Sequence, residues 1–253
     1  VYSVAATPTV VYAGGAFNNV GGQLRLKLAA INAATGAPTS WAPNPNSVVN
    51  AIVVSGSTVY VGGQFLGVGG TTRHHLAAVD ATTGVLSPWD PCALGDVNVL
   101  ASDGTAMLVG GSFTGVGGVP RQNAAAFDLA TGVATTWNPG PSASVYELQV
   151  DGSTLYLGGE FAQVAGVDRA NAAAVHATTG ALLAWDPEPN GLVYAIQPAG
   201  GTVYVGSRDA HVYALDAATG RKKWDYPTSK SWVNGTPAVR DGIVYAATSD
   251  SSR

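Results

Sequence analysis

Short apolar runs, each closed by glycine, proline, asparagine or aspartate, fill the chain from one end to the other. In residues 48–95, Ala51 to Val54 is an apolar run and Ser55-Gly56-Ser57 a turn. Thr58 to Phe65 follows, rich in β-branched and aromatic residues, and Leu66 to Thr72 is a glycine-rich loop. Arg73 to Ala81 reads as a third strand, Thr82-Thr83-Gly84 as a tight turn, and Val85 to Trp89 as a fourth strand ended by Asp90-Pro91. Short strands with a turn every eight to twelve residues or so predict an all-β chain. No stretch carries a helical period of any length.

This pattern repeats. Gly14-Gly15, Gly62-Gly63, Gly110-Gly111 and Gly158-Gly159 lie 48 residues apart, and Gly206-Ser207 continues the series. Trp41, Trp89, Trp137 and Trp185 keep the same step, as do Arg25, Arg73, Arg121 and Arg169. The Thr-Gly turns at Gly36, Gly84, Gly132 and Gly180 make a fourth series in phase. The fifth copy is shorter: Gly180 to Gly220 is 40 residues and Trp185 to Trp224 is 39. Four antiparallel strands in a unit of about 40 to 50 residues is the arithmetic of a β-propeller blade. Solenoid units are usually shorter, or carry a helix or a single strand per turn. The expectation is one β-propeller domain over 1–253, with blades at about 1–47, 48–95, 96–143, 144–191 and 192–230 and a partial sixth at 231–253. The chain starts at an innermost strand and ends after a second strand, so it is expected to be part of a longer polypeptide.

Composition narrows the class. The chain is 46% hydrophobic and 11% charged, against about 25% charged in an average domain. That combination excludes disorder. Cys92 is alone, which excludes a disulfide scaffold. A net charge of -4 argues against nucleic acid as a partner. No apolar run reaches the roughly 18 residues of a membrane span, and the opening residues are not expected to be a signal peptide. The repeat explains the low charge, because glycine turns, apolar strand faces and one tryptophan fill most positions of each unit.

Three residues before each turn threonine stands Asn32, Asp80, Asp128, His176 or Asp216, a short acceptor suited to cap the turn's N–H groups. Trp41, Trp89, Trp137, Trp185 and Trp224 fall on the outermost strand, where an indole fills the wedge between blades. The paired glycines mark close backbone approach. Arg25, Arg73, Arg121 and Arg169 follow the glycine-rich loops. With Phe17, Phe65, Phe113 and Phe161 they are expected to form an arc on the face that those loops share. A guanidinium fork there suits carboxylate, sulfate or sugar hydroxyls. The structural alternative is that each arginine ties its own hairpin to a carbonyl. The neighbouring positions diverge, His74-His75 beside Arg73 among them, and so does the series Ala16, Gln64, Ser112 and Glu160. A kept framework with varied tips marks a binding face. The candidate ligand-binding residues are therefore the four arginines with Phe65, Phe113, His74, His75 and Glu160, and the expected ligand is a glycan or a protein.

Catalytic signatures are missing. There is no Gly-x-Ser-x-Gly elbow, and no HExxH, paired CxxC or P-loop. His74 and His75 are adjacent on a strand and point to opposite faces, so no metal site is expected. Cys92 has no base positioned beside it. Acids such as Glu160, Asp168 and Glu188 leave one enzymatic alternative, a polysaccharide-acting hydrolase or lyase.

Two families are similar at these residues. Val59-Tyr60-Val61-Gly62-Gly63-Gln64-Phe65 with Leu76-Ala77-Ala78-Val79-Asp80 resembles the delta-60-type propeller repeats of secreted bacterial proteins. Val203-Tyr204-Val205-Gly206-Ser207-Arg208-Asp209, continuing through Tyr213-Ala214-Leu215-Asp216-Ala217-Ala218-Thr219-Gly220 to Trp224, is similar to the PQQ-like, or quinoprotein, repeat. The resemblance implies a propeller, and a non-enzymatic scaffold or binding module at the envelope or outside the cell. Quinoprotein dehydrogenases hold their cofactor with a vicinal disulfide and a metal-holding acidic site. A single cysteine departs from that pattern, so no PQQ and no other cofactor is expected.

Overall fold

The computed structural model describes residues 1–229 and 231–249, and every regular element among them is a β-strand. Lys230, where the fifth repeat is expected to end, and Asp250 to Arg253 of the sixth lie outside the described residues. The chain forms two compact units, Val1–Arg121 with Ala125–Thr135, and Gln122–Ala124 with the residues from Thr136 onward.

In the first unit the strands Ser3–Ala6, Val10–Gly14 and Leu28–Asn32 pair antiparallel in chain order. Val49–Ser55, Thr58–Gly63 and Leu76–Asp80 repeat the arrangement. Ala93–Ser102, Ala106–Val116 and Ala124–Asp128 make the third sheet. In the second unit Val145–Asp151, Thr154–Gly159 and Ala172–His176 form a fourth sheet. Val193–Ala199, Thr202–Ser207, His211–Asp216 and Lys222–Pro227 form a fifth. Two short ribbons follow, Trp232–Val233 with Thr248–Ser249 and Ala238–Arg240 with Ile243–Tyr245.

The expected fourth strand is complete only in the fifth copy. In the other four it shrinks to single bridges, Ile31 to Pro38, Val79 to Leu86, Phe127 to Ala134 and Val175 to Leu182. Proline explains the difference. Pro43, Pro91, Pro139 and Pro187 each stand two residues after the tryptophan, and proline cannot donate to a ladder. In the first and second copies a Thr or Ser hydroxyl also accepts the backbone N–H of the tryptophan, Thr39 for Trp41 and Ser87 for Trp89. The glycine-rich loop, by contrast, is more ordered than its composition suggests. It forms two-residue ribbons such as Gly67–Val68 with Thr71–Thr72, turning through Gly69 and Gly70 at φ 57° and 83°. Paired positive φ is what a tight hairpin requires.

The paired glycines have two different reasons. A Cβ on Gly62 would lie 2.4 Å from Cγ1 of Val97 in the next copy, and one on Gly63 would lie 2.1 Å from the Val48 carbonyl oxygen. In the second unit Gly158 meets Val193 at 2.6 Å and Gly159 meets the Ser144 carbonyl oxygen at 2.2 Å. The first glycine admits the next repeat's valine; the second admits the backbone of its own first strand.

Neighbouring copies are joined by a tyrosine and a tryptophan that reach the same turn. Tyr12 donates its hydroxyl to the Ala81 carbonyl at 2.8 Å, and Trp41 donates Nε1–H to the Asp80 carbonyl at 2.9 Å. Tyr156 and Trp185 do the same to Ala217 and Asp216, at 3.3 and 3.1 Å. In both pairs the rings meet edge to face, with centroids 5.1 Å apart. The turn itself is held by its acidic residue: Asp80 Oδ1 accepts from the N–H groups of Thr82 and Thr83 and from the Thr83 hydroxyl. Asn32 Oδ1 and His176 Nδ1 accept the corresponding N–H bonds in their copies. Trp41, Trp89, Trp137 and Trp185 are buried. Trp224 departs from the series, because 41% of it remains exposed.

Candidate functional site

The four arginines close their own repeats. Arg73 Nη1 donates to the Thr72 carbonyl at 2.8 Å and Nη2 to the Ser87 carbonyl at 3.0 Å, with Asp90 at 3.4 Å. Arg121 reaches Pro120 and Thr135 at 2.9 and 2.8 Å. Arg169 reaches Asp168 at 2.7 Å and Leu183 at 3.4 Å, and pairs with Asp186 at 3.1 Å. Arg25 binds the carbonyls of Leu24 and Thr39 and the side-chain oxygen of Gln23. Each guanidinium thus bridges the glycine-rich hairpin to the segment before the tryptophan. The Nε atoms are buried as well.

Phe65, Phe113 and Phe161 are 0–1% exposed. Their rings belong to the core, which corrects the expectation that Phe65 and Phe113 contact a ligand. The residue after Phe in sequence alternates outward, but the ring itself fills the space beneath the hairpin. His75 turns inward too, with Nδ1 3.1 Å from the Gly63 carbonyl oxygen and 3.4 Å from Asp96. The His74 carbonyl accepts from the Ala93 N–H at 3.1 Å. The acids of the hydrolase alternative have separate surroundings. Asp168 accepts from Gln163 at 2.8 Å, Glu188 is an exposed loop residue, and Glu160 faces Tyr146. Burial and then Asp90 push the Cys92 thiol up, which leaves it a poor nucleophile. Among the described residues no group of three His, Cys, Asp or Glu could hold a metal ion, and no helix is long and apolar enough to cross a membrane.

What gathers on the hairpin face of the second unit is a set of residues that the repeat does not keep. Tyr146 and Tyr194 stand where the first copy has Tyr2 and the second and third have Asn50 and Asn98. Asn50 bonds the Val97 carbonyl at 2.9 Å, whereas the two tyrosines stack, with centroids 4.7 Å apart and planes 25° apart. Arg208 continues the variable series Ala16, Gln64, Ser112 and Glu160. Its guanidinium lies 3.8 Å from the Trp232 ring centroid and 5.8 Å from that of Tyr194. The result is a continuous strip, Tyr146, Tyr194, Arg208 and Trp232, with Glu160 beside Tyr146. Burial raises the Tyr146 pKa above its ordinary value, and the Glu160 charge adds to the rise. The sequence signal for the strip is a variable residue type at a repeated position, Tyr2, Asn50, Asn98, Tyr146 and Tyr194, one residue beyond the strictly repeated valine.

Glu147 adjoins the strip. Burial pushes its carboxyl up to about 8, although Gln149 Nε2 donates to Oε1 at 2.7 Å and lowers it in part. A folded-state pKa above the unfolded value means that the neutral acid is the one the fold favours. Its contribution is full below the ordinary glutamate range and is lost as pH rises toward 8, at up to about 1.4 kcal/mol per pH unit. Urea unfolding of the wild type is expected to weaken between about pH 5 and about pH 8. Glu147→Gln should remove that slope; an unchanged slope would locate the titration elsewhere.

Comparison with known proteins places the architecture. Residues 168–253 match the PQQ-type repeat family described as outer membrane protein assembly factor BamB. The WD40 β-propeller domain of Doa1 aligns with a TM-score of 0.65 at 12% identity, over 92% of this chain and 70% of that one. The computationally designed Ika8 protein aligns with a TM-score of 0.60 at 16% identity, over 98% of this chain and 92% of that one. A search of curated protein sequences gives no match. The chain is a β-propeller. The family match begins at Asp168, in the fourth repeat, and takes in Tyr194, Arg208 and Trp232 of the strip.

Proposed function

We propose that this propeller is a non-catalytic module that binds a protein ligand through the strip of Tyr146, Tyr194, Arg208 and Trp232. The observation that carries the reading is the stack itself. Tyr146 lies on Tyr194, and Arg208 lies on Trp232, so one face of each ring is already covered. Ring edges, hydroxyls and the guanidinium remain for contact. Clustered tyrosine, tryptophan and arginine are the residue types that dominate protein-binding hot spots, and mutual stacking preorganises them. The family match over this region is named for a protein assembly factor, which supports a protein ligand rather than a glycan. Resemblance to the delta-60-type repeats of secreted bacterial proteins supports a place outside the cell or at its surface. The reading requires no cofactor.

A random-peptide display library tests it. The library is selected on the wild type and depleted on the double variant Tyr194→Ala, Arg208→Ala. Peptides should survive depletion and bind the wild type at least about tenfold more tightly than the variant, while the variant keeps its far-UV spectrum. Loss of every peptide at the depletion step would overturn the reading, as would a glycan array that yields an Arg208-dependent sugar.

A further inference from the structure

The clamp between the second and third repeats is incomplete. Trp41, Trp137 and Trp185 each donate Nε1–H to the carbonyl of a turn in the next repeat. Trp89 is 6% exposed, and its buried Nε1 has no acceptor. The ring nevertheless lies at the corresponding turn, since a Cβ on Gly132 would stand 3.0 Å from Nε1. Tyr60 holds the same turn loosely. Its hydroxyl donates to the Leu129 carbonyl at 3.3 Å, against 2.8 Å for Tyr12 and Ala81. Leu129 stands where the other repeats have Ala33, Ala81, Ala177 and Ala217. Between the Tyr60–Trp89 pair and this turn opens a cavity of about 320 Å³, lined by Thr58, Tyr60, Ser87, Pro88, Trp89 and residues 129–131. All of these residues belong to the first unit and to repeats whose every residue is described. A buried donor without an acceptor is destabilising, and a bound group that accepts from it removes the penalty.

We propose that this cavity binds a small neutral amide, whose carbonyl oxygen accepts the Trp89 Nε1–H that no turn carbonyl takes. The ligand's chemistry is read from the other seams, where the acceptor for the same indole is a peptide carbonyl. No charged side chain among the described residues lines the cavity, so an ionic ligand would be desolvated there without a counter-charge. Ser87 Oγ already accepts the Trp89 backbone N–H at 3.2 Å. A hydroxyl oxygen has two lone pairs, which leaves one for the amide N–H. Pro88, Leu129 and Ala78 offer apolar wall to the rest of the molecule. One water takes up about 30 Å³, so a single water on Nε1 would leave most of the space unfilled. The site lies in the first unit, apart from the strip of Tyr146, Tyr194, Arg208 and Trp232, and rests on nothing proposed for that strip.

The probe is 2-pyrrolidone, a compact cyclic amide, titrated into the nitrogen-15-labelled full chain while the indole N–H signals are followed by NMR. The Trp89 signal is assigned by its loss in Trp89→Phe. It should move downfield along a saturating curve with a Kd in the roughly millimolar range, as suits so small a ligand, while the Trp41 and Trp185 signals stay in place. Ala130→Phe puts a ring at the mouth of the cavity from an exposed turn position. It should weaken binding at least about tenfold and unfold in urea with the wild type. Cyclopentanol, a ring of the same size without the amide, should bind more weakly than pyrrolidone. A Trp89 signal that stays still, or that drifts linearly in step with exposed Trp224, would overturn the proposal. So would an Ala130→Phe chain that binds like the wild type, and cyclopentanol that binds as tightly as the amide.

Discussion

Replacing Trp185 by alanine is expected to destabilise the second unit by about 4 kcal/mol, the range measured for large aromatic residues removed from a core. Three losses add up at this position. The indole is 2% exposed, so its removal leaves a cavity. The edge-to-face contact with Tyr156 at 5.1 Å goes with it. The Asp216 carbonyl also loses the Nε1–H at 3.1 Å, and an acceptor left unpaired in a part-buried place adds its own penalty. Trp224→Ala is the matched control. It removes the same side chain from the same repeat position where no turn among the described residues covers it, and exposed substitutions usually stay within about 0.5 kcal/mol. Urea unfolding followed by intrinsic fluorescence should separate the two variants clearly. Equal losses would mean that the tryptophans act within their own repeats and not between repeats.

The repeat was the most legible part of the chain. Glycine, tryptophan and arginine series in one phase locate strands, turns and hairpins, because each residue type answers one fixed local demand. Gly84 at φ 73° under the Trp41 ring is such a case. The fourth strands were harder to place. Val85 to Trp89 has the composition of a strand, yet Pro91 and the Ser87 hydroxyl reduce it to one bridge. Composition at Phe65 and Phe113 says only that an aromatic residue follows a variable one. Whether it faces solvent or core depends on the fold of the hairpin above it. The strip of Tyr146, Tyr194, Arg208 and Trp232 was hidden for the opposite reason. Its members come from three copies and sit at positions that a search for sameness passes over.

The arginines carry the central claim, that a feature repeated in fixed phase holds the framework while departures from the phase form the binding face. Arg73 and Arg121 each tie two carbonyls with bonds of 2.8–3.0 Å. Only 13% of the Arg73 side chain is exposed. Hydrogen bonds from a charged donor contribute about 1.5–3 kcal/mol each, less where the hairpin end is solvated. About 2 kcal/mol per arginine is a reasonable net value on that scale. The two sites lie in different repeats, so their effects should add. The direct measurement is urea unfolding of the double variant Arg73→Met, Arg121→Met, which keeps the length of the side chain and removes the donors. A loss of about 4 kcal/mol from the first unit is the predicted result. A double variant as stable as the wild type would contradict the account and return the arginines to the ligand.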